Sequence, residues 1–236
     1  MNSWTPETCA TLLEAAEDTL RPGGLDLTGH LLNFGNFTAG SRVLDAGCGS
    51  GSTLHYLVNA RQTAAVGVDS SLSMLASARP QSGGAPLVCA ALENLPFRNV
   101  CFDGVVCECV LSQTSAGKVL AEFHRVLRAD GVLLVSDLYR RQKDPGIETE
   151  LPPDDGLPTV RQAETMLANA GFAVEHWEDR TRDLRRLAVR LIMASGPVSE
   201  NLFNWGKKGR ASGGTEMCAG DRELGYHLLV ARKIER

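Results

Sequence analysis

The sequence predicts a doubly wound α/β fold with a mostly parallel seven-stranded sheet, and two observations carry that prediction. Short apolar runs typical of buried strands recur along the chain, and helical patterns with one apolar face separate them. This alternation is typical of a parallel sheet that helices cover on both faces. The 236 residues, 43% of them hydrophobic, are enough for one large domain with a substantial core.

The predicted elements follow one another in a regular order. Strands are expected at 42–45, 64–69, 86–90, 102–110, 131–138, 172–177 and 226–233. Helices are expected around 54–58 and at 72–79, 117–128, 159–170 and 181–194. Two further helices, one starting at Thr5-Pro6 and one over 26–34, predict a helical extension or cap at residues 1–40. The main domain then covers 41–236 and includes an inserted cap segment at about 180–222, preceded by a Pro- and Asp-rich loop at 144–158.

Charge and composition exclude several classes of partner. The formal net charge is −4 and no basic block is present, so neither nucleic acid nor an anionic membrane is an expected partner. No apolar run approaches the roughly 20 residues of a membrane span, and the first residues lack a signal-peptide pattern, so a cytoplasmic protein is expected. Seven scattered cysteines without a CxxC pair predict reduced thiols and no metal site. Cys107 and Cys109, two apart in a predicted strand, should face the same side of the sheet.

The strongest motif is the turn VLDAGCGSG at Val43–Gly51, which leaves a predicted strand and enters a helix. Its glycines let the backbone approach a ligand closely and expose amide donors at the start of the helix. Ser52 stands where a dinucleotide fingerprint has Gly or Ala. Asp69 ends the second strand, where a carboxylate can accept hydrogen bonds from ribose hydroxyls. Together these features predict a nucleoside site at the carboxyl edge of the sheet.

Four ordered segments, VLDAGCGSG, VGVDSSLSMLASAR, LENLPFRNVCFDGVVCECVL and EFHRVLRADGVLLVSD, cover about residues 41–138. They resemble the class I S-adenosylmethionine-dependent methyltransferases, especially the small-molecule branch that contains the ubiquinone/menaquinone methyltransferases. The resemblance implies a Rossmann-like methyltransferase fold whose terminal strand is antiparallel. It also implies that S-adenosyl-L-methionine is the cofactor, S-adenosyl-L-homocysteine the product and a small molecule the methyl acceptor.

The resemblance also assigns expected roles to residues. Gly47, Cys48, Gly49 and Gly51 would cradle the methionine part of the cofactor, and Asp45 would hold that loop or the cofactor's amino group. Asp69 would bind the ribose. The adenosine would be bordered by Ser70, Met74, Ala91 and Leu92, where Ala91 replaces an aspartate that family members often use for the adenine amino group. Glu108 and the residues after it would border the reacting methyl group.

Candidates for catalysis are fewer, because methyl transfer needs a base only when the acceptor must first lose a proton. Cys109-Val110-Leu111-Ser112 resembles arsenite methyltransferases, although the second cysteine of that family has no match and Cys218 lies too far away; a buried strand cysteine is the alternative. His30 is a candidate because the N-terminal extension often caps the cofactor. Tyr139 is a candidate for the acceptor pocket, with an exposed loop tyrosine as its alternative. His55 and His124 are expected to be structural.

Other functions and surfaces stay open at this level. A nicotinamide-dependent oxidoreductase and a non-catalytic cofactor-binding protein are the competing classes, beside arsenite or thiol methylation through Cys109. The basic stretch Trp205–Arg210 could attract an anionic acceptor or be a solvated loop. The helix carrying Arg182, Arg185, Arg186 and Arg190 could be a cap, a dimer surface or a helix packed on the domain. We expect the N-terminal extension and the insertion to form the acceptor pocket, and the oligomeric state is open, a homodimer included.

Overall fold

The computed structural model describes residues 21–141, 157–195 and 224–235. The strands are β1 Arg42–Ala46, β2 Ala64–Asp69, β3 Leu87–Cys89, β4 Phe102–Glu108, β5 Leu127–Arg140, β6 Phe172–Asp179 and β7 Leu224–Lys233. The helices are α1 Gly24–Asn33, α2 Ser52–Asn59, α3 Leu72–Ala78, α4 Ala116–Val126, α5 Val160–Asn169 and α6 Thr181–Ser195, with a 3₁₀ turn at Leu111–Gln113. The predicted helix start at Thr5, most of the predicted loop at 144–158 and the basic stretch at 205–210 lie outside the described residues.

The seven strands form one sheet in the order β3-β2-β1-β4-β5-β7-β6. Strands β1 to β5 pair in parallel, whereas β7 lies antiparallel between β5 and β6. This arrangement confirms the predicted mostly parallel sheet and its terminal antiparallel strand. The chain reverses its direction of winding at β1, which has β2 on one side and β4 on the other. Open α/β sheets bind ligands at such a switch point, outside the carboxyl ends of the strands.

Each face of the sheet carries its own apolar cluster. On one face, buried side chains of β1, β4 and β5 pack with Leu120 and Phe123 of α4 and with Leu167 of α5. On the other face, the cluster includes Leu31 of α1 and Leu54 of α2, together with residues of β5, β7 and α6. Helix α1 is therefore part of the packed core and lies on the same face as α2 and α6.

Strand β4 ends two residues earlier than the pattern predicts. Cys109 has a φ of +58°, so the chain turns out of the strand directly after Glu108. Cys107 consequently packs in the α4 face of the core and Cys109 against the α1 face. The prediction that the two thiols share one face is wrong, because side-chain alternation holds only within a continuous strand.

Strand β5 is longer than predicted and begins as soon as α4 ends. Its pairing with β4 shifts register, since Phe102 lies opposite Leu127 whereas Gly104 lies opposite Val132. The extension at the other end places Tyr139 within the strand, where it is 5% exposed. Tyr139 is therefore a buried strand residue and not an exposed loop tyrosine.

The segment between β3 and β4 is held against α4 by a single guanidinium group. Arg125 pairs with Glu122 at 2.7 Å and donates to the backbone oxygens of Leu95 and Phe97 at 3.0 and 2.7 Å. Glu122 in turn accepts from the Leu95 amide at 2.7 Å. Leu95, 3% exposed, is thereby fixed in the core beside Leu92. Arg125 and Glu122 of α4 thus form a clamp that holds the segment after β3 in place.

Replacing Arg125 by Ala should lower the free energy of unfolding by about 1–3 kcal/mol, because two carbonyl groups and Glu122 lose a charged donor. Urea unfolding monitored by circular dichroism measures the change. Arg128→Ala is the matched control, since the Arg128 side chain is 58% exposed and forms an ion pair with Asp103; a surface pair of this kind is worth about 0–1 kcal/mol. Equal losses in the two variants would contradict the clamp.

Candidate active site

The glycine-rich turn after β1 packs so tightly that two of its glycines cannot be replaced without strain. Gly47 has a φ of +77°, and a Cβ atom on it would clash with the side chain of Val110. Gly51 has a φ of +90°, and a Cβ there would lie 3.0 Å from that of Ala78 in α3. The turn therefore lies between the segment after β4 and the end of α3, at the carboxyl edge of the sheet.

Most amides of this turn already have partners within the protein. The Gly47 and Cys48 amides both donate to the Val68 oxygen, at 2.8 and 2.9 Å, and the Gly51 amide donates to the Cys48 oxygen at 2.8 Å. The Gly49 amide donates to Asp69 Oδ2 at 2.9 Å. The expectation that the turn exposes amide donors is therefore wrong for these four residues. With these four amides engaged, the turn offers fewer donors to a pyrophosphate, which disfavours the nicotinamide dinucleotide alternative.

Asp69 occupies the last position of β2 and faces the glycine-rich turn. Its Oδ1 accepts from the Ser71 amide at 2.8 Å and its Oδ2 from Gly49. A carboxylate has about four acceptor positions, so Asp69 retains capacity for two further donors. The half-buried Met74 lies against Gly49, and Ser70 is exposed at the same edge. The structure thus brings together Gly49, Asp69, Ser70 and Met74.

The predicted adenine-side residues follow β3 at the neighbouring position. Asp69 pairs in register with Cys89, and the Ala90 amide donates to the Asp69 oxygen at 3.1 Å. Ala91 is exposed, whereas Leu92 is buried at 6% exposure. Cys48 differs from the other predicted residues of the turn, because its side chain is buried and its Sγ atom lies near Gly67 of β2. Burial raises the pKa of the Cys48 thiol.

Two carboxyl groups are buried at the ends of adjacent strands β1 and β4. Asp45 is 3% exposed, and its Oδ2 atom has no hydrogen-bond partner among the described residues. Burial, and then the nearby Glu108, raise the pKa of Asp45 to about 8. The Glu108 side chain is 5% exposed and forms an ion pair with Arg21 at 3.4 Å. The site therefore holds an acidic group with an unused oxygen beside a compensated carboxylate.

The groups around Glu108 come from three elements that the sequence did not connect. Its oxygens accept from Thr28 of α1 at 3.0 and 3.2 Å, from Thr53 of α2 at 2.6 Å and from Ser136 of β5 at 3.4 Å. Arg21 donates to Thr28 at 2.7 Å, while its own Nε atom is buried and has no partner among the described residues. Sequence reasoning missed all four residues. The only available signal was a threonine on the apolar face of each helix.

Cys109 joins this network as a donor. Its Sγ atom lies 3.0 Å from the Tyr226 hydroxyl, which donates to Ser136 at 2.9 Å. Because the Tyr226 hydroxyl donates its hydrogen to Ser136, the Cys109 thiol is the donor in the contact with Tyr226. Burial, and then Asp137, raise the pKa of Cys109 to about 12. The thiol is therefore protonated at neutral pH, which is unsuited to binding a metalloid as a thiolate.

Asp137 fixes the turn that follows Cys109. Its carboxylate accepts from the Ser112 amide and hydroxyl at 2.8 and 2.6 Å and from the Leu138 amide at 2.7 Å. Burial nevertheless raises the pKa of Asp137. Sequence reasoning missed this residue as well. Its position near the end of the strand predicted at 131–138 was the available signal.

The other two catalytic candidates lie apart from Glu108. His30 pairs with Glu178 of β6 at 2.9 Å, so it tethers α1 to the edge strand. Tyr139 donates to Asp179 at 3.0 Å and packs edge-on against Trp177 and His227. Burial, and then Asp179, raise the pKa of Tyr139, so it is a poor base. The structure therefore does not bring His30, Tyr139 and Cys109 into one cluster.

Within residues 21–141, 157–195 and 224–235, no three His, Cys, Asp or Glu residues are grouped to hold a metal ion. No helix in the same ranges is both long and apolar enough to cross a membrane. His55 contacts the Gln81 oxygen at 2.8 Å, and His124 packs edge-on against Phe172.

Sequence comparison relates the chain to methyltransferases. Residues 44–135 match the family model of the methyltransferase domain. The uncharacterized methyltransferase YodH of Bacillus subtilis is 35% identical over 169 residues, which are 70% of this chain and 66% of that protein. The O-methyltransferase resE of Aspergillus sclerotiorum is 26% identical over 216 residues, 84% of this chain and 77% of that protein. The chain spans between 39% and 77% of the lengths of these and two further curated relatives.

Structure comparison gives the same fold. A phosphoethanolamine N-methyltransferase of Haemonchus contortus in complex with S-adenosyl-L-methionine matches with a TM-score of 0.74 at 18% identity, over 99% of this chain and 58% of that chain. The cyclase SpnF matches with a TM-score of 0.74 at 21% identity, over 97% and 94%. At these identities the matches establish the fold alone.

The fold is that of a Rossmann-like α/β protein, with the glycine-rich turn and Asp69 at the carboxyl ends of β1 and β2. Together with the family match, these features place the chain among the class I S-adenosylmethionine-dependent methyltransferases. S-Adenosylmethionine is accordingly its cofactor. The comparisons do not single out the ubiquinone/menaquinone branch.

Asp45→Asn should change how stability depends on pH. Because the folded state raises the pKa of Asp45 from 3.8 to about 8, it holds an extra proton between these values, and stability falls as the pH rises. We expect the wild type to lose about 1 kcal/mol per pH unit relative to Asp45→Asn between pH 5 and 8. Urea unfolding across this range measures the slope. Asp26→Asn, an exposed site on α1, is the control, and parallel curves for all three proteins would contradict the assignment.

Proposed function

We propose that the chain transfers a methyl group from S-adenosylmethionine to a small-molecule acceptor at the carboxyl edge of β1 and β4. The observation that carries the proposal is the buried pair Asp45 and Glu108 beside the glycine-rich turn. Among the residues that the structure describes, one carboxyl oxygen of Asp45 and one donor of Arg21 have no partner. The methionine part of the cofactor carries an ammonium and a carboxylate group. The two unpartnered atoms match these charges, so the residues fit the cofactor.

The proposed binding roles follow the arrangement of the edge. Asp45 would accept from the ammonium group and Arg21 would donate to the carboxylate, while Asp69 would accept from the ribose hydroxyls. Gly47 and Gly49 would let the ligand approach the backbone. The adenosine would be bordered by Ser70, Met74, Ala91 and Leu92.

When bound, the cofactor supplies an electrophilic methyl group on its sulfonium. The chain's own contribution is to position the acceptor and exclude water. The thiol of Cys109 and the hydroxyl of Tyr226, which lie in the network around Glu108, are poor bases. Burial raises the pKa values of Cys109 and Tyr226, so both hold their protons at neutral pH. The acceptor would therefore bring a nucleophilic atom that needs no strong base. The same protonation argues against arsenite or thiol methylation through Cys109.

A non-catalytic cofactor-binding protein is the second candidate. Ala91 favours it, because the side chain that family members use for the adenine amino group is absent and the position is exposed. The domain boundaries, a homodimer and a cytoplasmic location remain predictions from the sequence.

Asp69→Ala should weaken binding of S-adenosylmethionine by about 100-fold, because a carboxylate acceptor for two hydroxyl donors is lost. Calorimetric titration of purified protein measures this. Asp103→Ala is the matched control, since Asp103 is a half-buried carboxylate at the opposite, amino end of β4. Wild-type affinity in Asp69→Ala would contradict the proposed site.

Turnover separates the two candidates. Protein that binds the cofactor is incubated with quinols, thiols, arsenite and small alcohols and amines, and formation of S-adenosylhomocysteine is measured. S-Adenosylhomocysteine formed above the acceptor-free blank by the wild type, but not by Asp69→Ala, supports the transferase. Cofactor binding without any transfer supports the non-catalytic protein.

A further inference from the structure

A cavity of about 740 Å³ lies between the first turns of α1 and the outer face of α6. Its volume is within the range of small-molecule sites, about 300–1,000 Å³. Gly23 and Leu27 form the α1 wall. The opposite wall carries five arginines, namely Arg180, Arg182, Arg185, Arg186 and Arg190.

The charges in this cavity are unbalanced. Five guanidinium groups face two carboxylates, Asp26 and Asp183. Asp183 is already engaged by Arg180 at 2.7 Å and by Arg186 at 3.5 Å. Arg182 and Arg185 are exposed, and neither has an acidic partner within the part of the chain that the structure describes. Two guanidinium groups one helical turn apart are thus available to a ligand.

The helix that bears these arginines is fixed firmly in the core. Leu184, Leu187 and Leu191 on its inner face are each at most 3% exposed. The hydroxyl of Thr181, its first residue, accepts from the Tyr226 amide at 3.2 Å. The guanidinium groups therefore project from a rigid base, which lowers the entropy lost when they bind a ligand.

The cavity and the proposed methyl-transfer site share one helix. Leu27 lines the cavity, while the next residue, Thr28, donates to both oxygens of Glu108 at the end of β4. Tyr226, which α6 contacts through Thr181, reaches Cys109 on the other side of the same network. Adjacent residues of α1 therefore line the cavity and contact the network around Glu108.

We propose that this cavity binds an anionic group of the methyl acceptor, a phosphate or a carboxylate, through Arg182 and Arg185. Guanidinium groups bind both anions with paired, charge-assisted hydrogen bonds. The apolar side chains of Leu27 and Val189 line the same cavity and suit the carbon part of such an acceptor. The inference rests on the proposed function, because it names the acceptor class of that same site.

The test titrates the full chain with phenyl phosphate and with benzoate by calorimetry, at constant ionic strength. We expect saturable millimolar or tighter binding that the double variant Arg182→Gln/Arg185→Gln weakens by about tenfold or more. Arg98→Gln/Arg128→Gln is the control, since both arginines are exposed. Arg98 precedes β4 and Arg128 lies at the start of β5, so both are at the opposite edge of the sheet. Equal binding by the double variant and the wild type, or no saturable binding, would overturn the proposal.

Two further arms identify the source of the anion and separate this inference from the proposed function. The protein is sedimented with phosphatidic acid vesicles and, for comparison, with phosphatidylcholine vesicles. Binding to the phosphatidic acid vesicles indicates a lipid headgroup, whereas binding to phenyl phosphate alone indicates a soluble ester. S-Adenosylmethionine affinity should be unchanged in Arg182→Gln/Arg185→Gln. Loss of cofactor affinity in that variant contradicts the cavity's separate role, whereas failure of the wild type to bind cofactor contradicts the proposed function alone.

Discussion

The placement of two carboxyl groups, Asp45 and Glu108, at the ends of adjacent parallel strands is the constraint on which the rest of the site depends. Both lie in an apolar core, where an uncompensated charge costs several kcal/mol. Glu108 is compensated by three hydroxyl groups and Arg21, whereas Asp45 keeps one oxygen without a partner. Burial, and then the nearby Glu108, raise the pKa of Asp45. Glu108 is thus compensated within the protein, whereas Asp45 has an oxygen that can accept a hydrogen bond from a ligand.

This constraint explains why elements distant in sequence meet at the edge. Helix α1 packs against β5 and β7, and its Thr28, together with Arg21, supplies part of the compensation for Glu108 at the end of β4. A chain of hydrogen bonds through Tyr226 and Ser136 connects the Cys109 thiol to the same carboxylate. The N-terminal residues are therefore part of the site's electrostatics. The cavity beside Leu27 lies between α1 and the arginines of α6.

The fold could be predicted from the sequence because its signals are local. Strand and helix periodicities, the glycine-rich turn and Asp69 each lie within a few residues, and the winding of a parallel sheet brings successive strand ends to one edge. The network around Glu108 could not be predicted, since Thr28, Thr53 and Ser136 meet it only through tertiary packing. The positive φ of Cys109 could not be predicted either, and it reversed the expected side of that thiol. The pairing of His30 with Glu178 could not be predicted for the same reason, because the two residues lie 148 positions apart in the chain.

The measurement that tests the central claim most directly is the proton balance of cofactor binding. Calorimetric titration with S-adenosylmethionine at pH 7, in buffers of different ionisation enthalpy, reports the protons released per site. If the unused oxygen of Asp45 receives the ammonium group, binding should release close to one proton, because Asp45 has a pKa of about 8 before a cation reaches it. Asp45→Asn should abolish that release. Binding that keeps its affinity but shows the same buffer-independent enthalpy in the wild type and the variant would contradict the account.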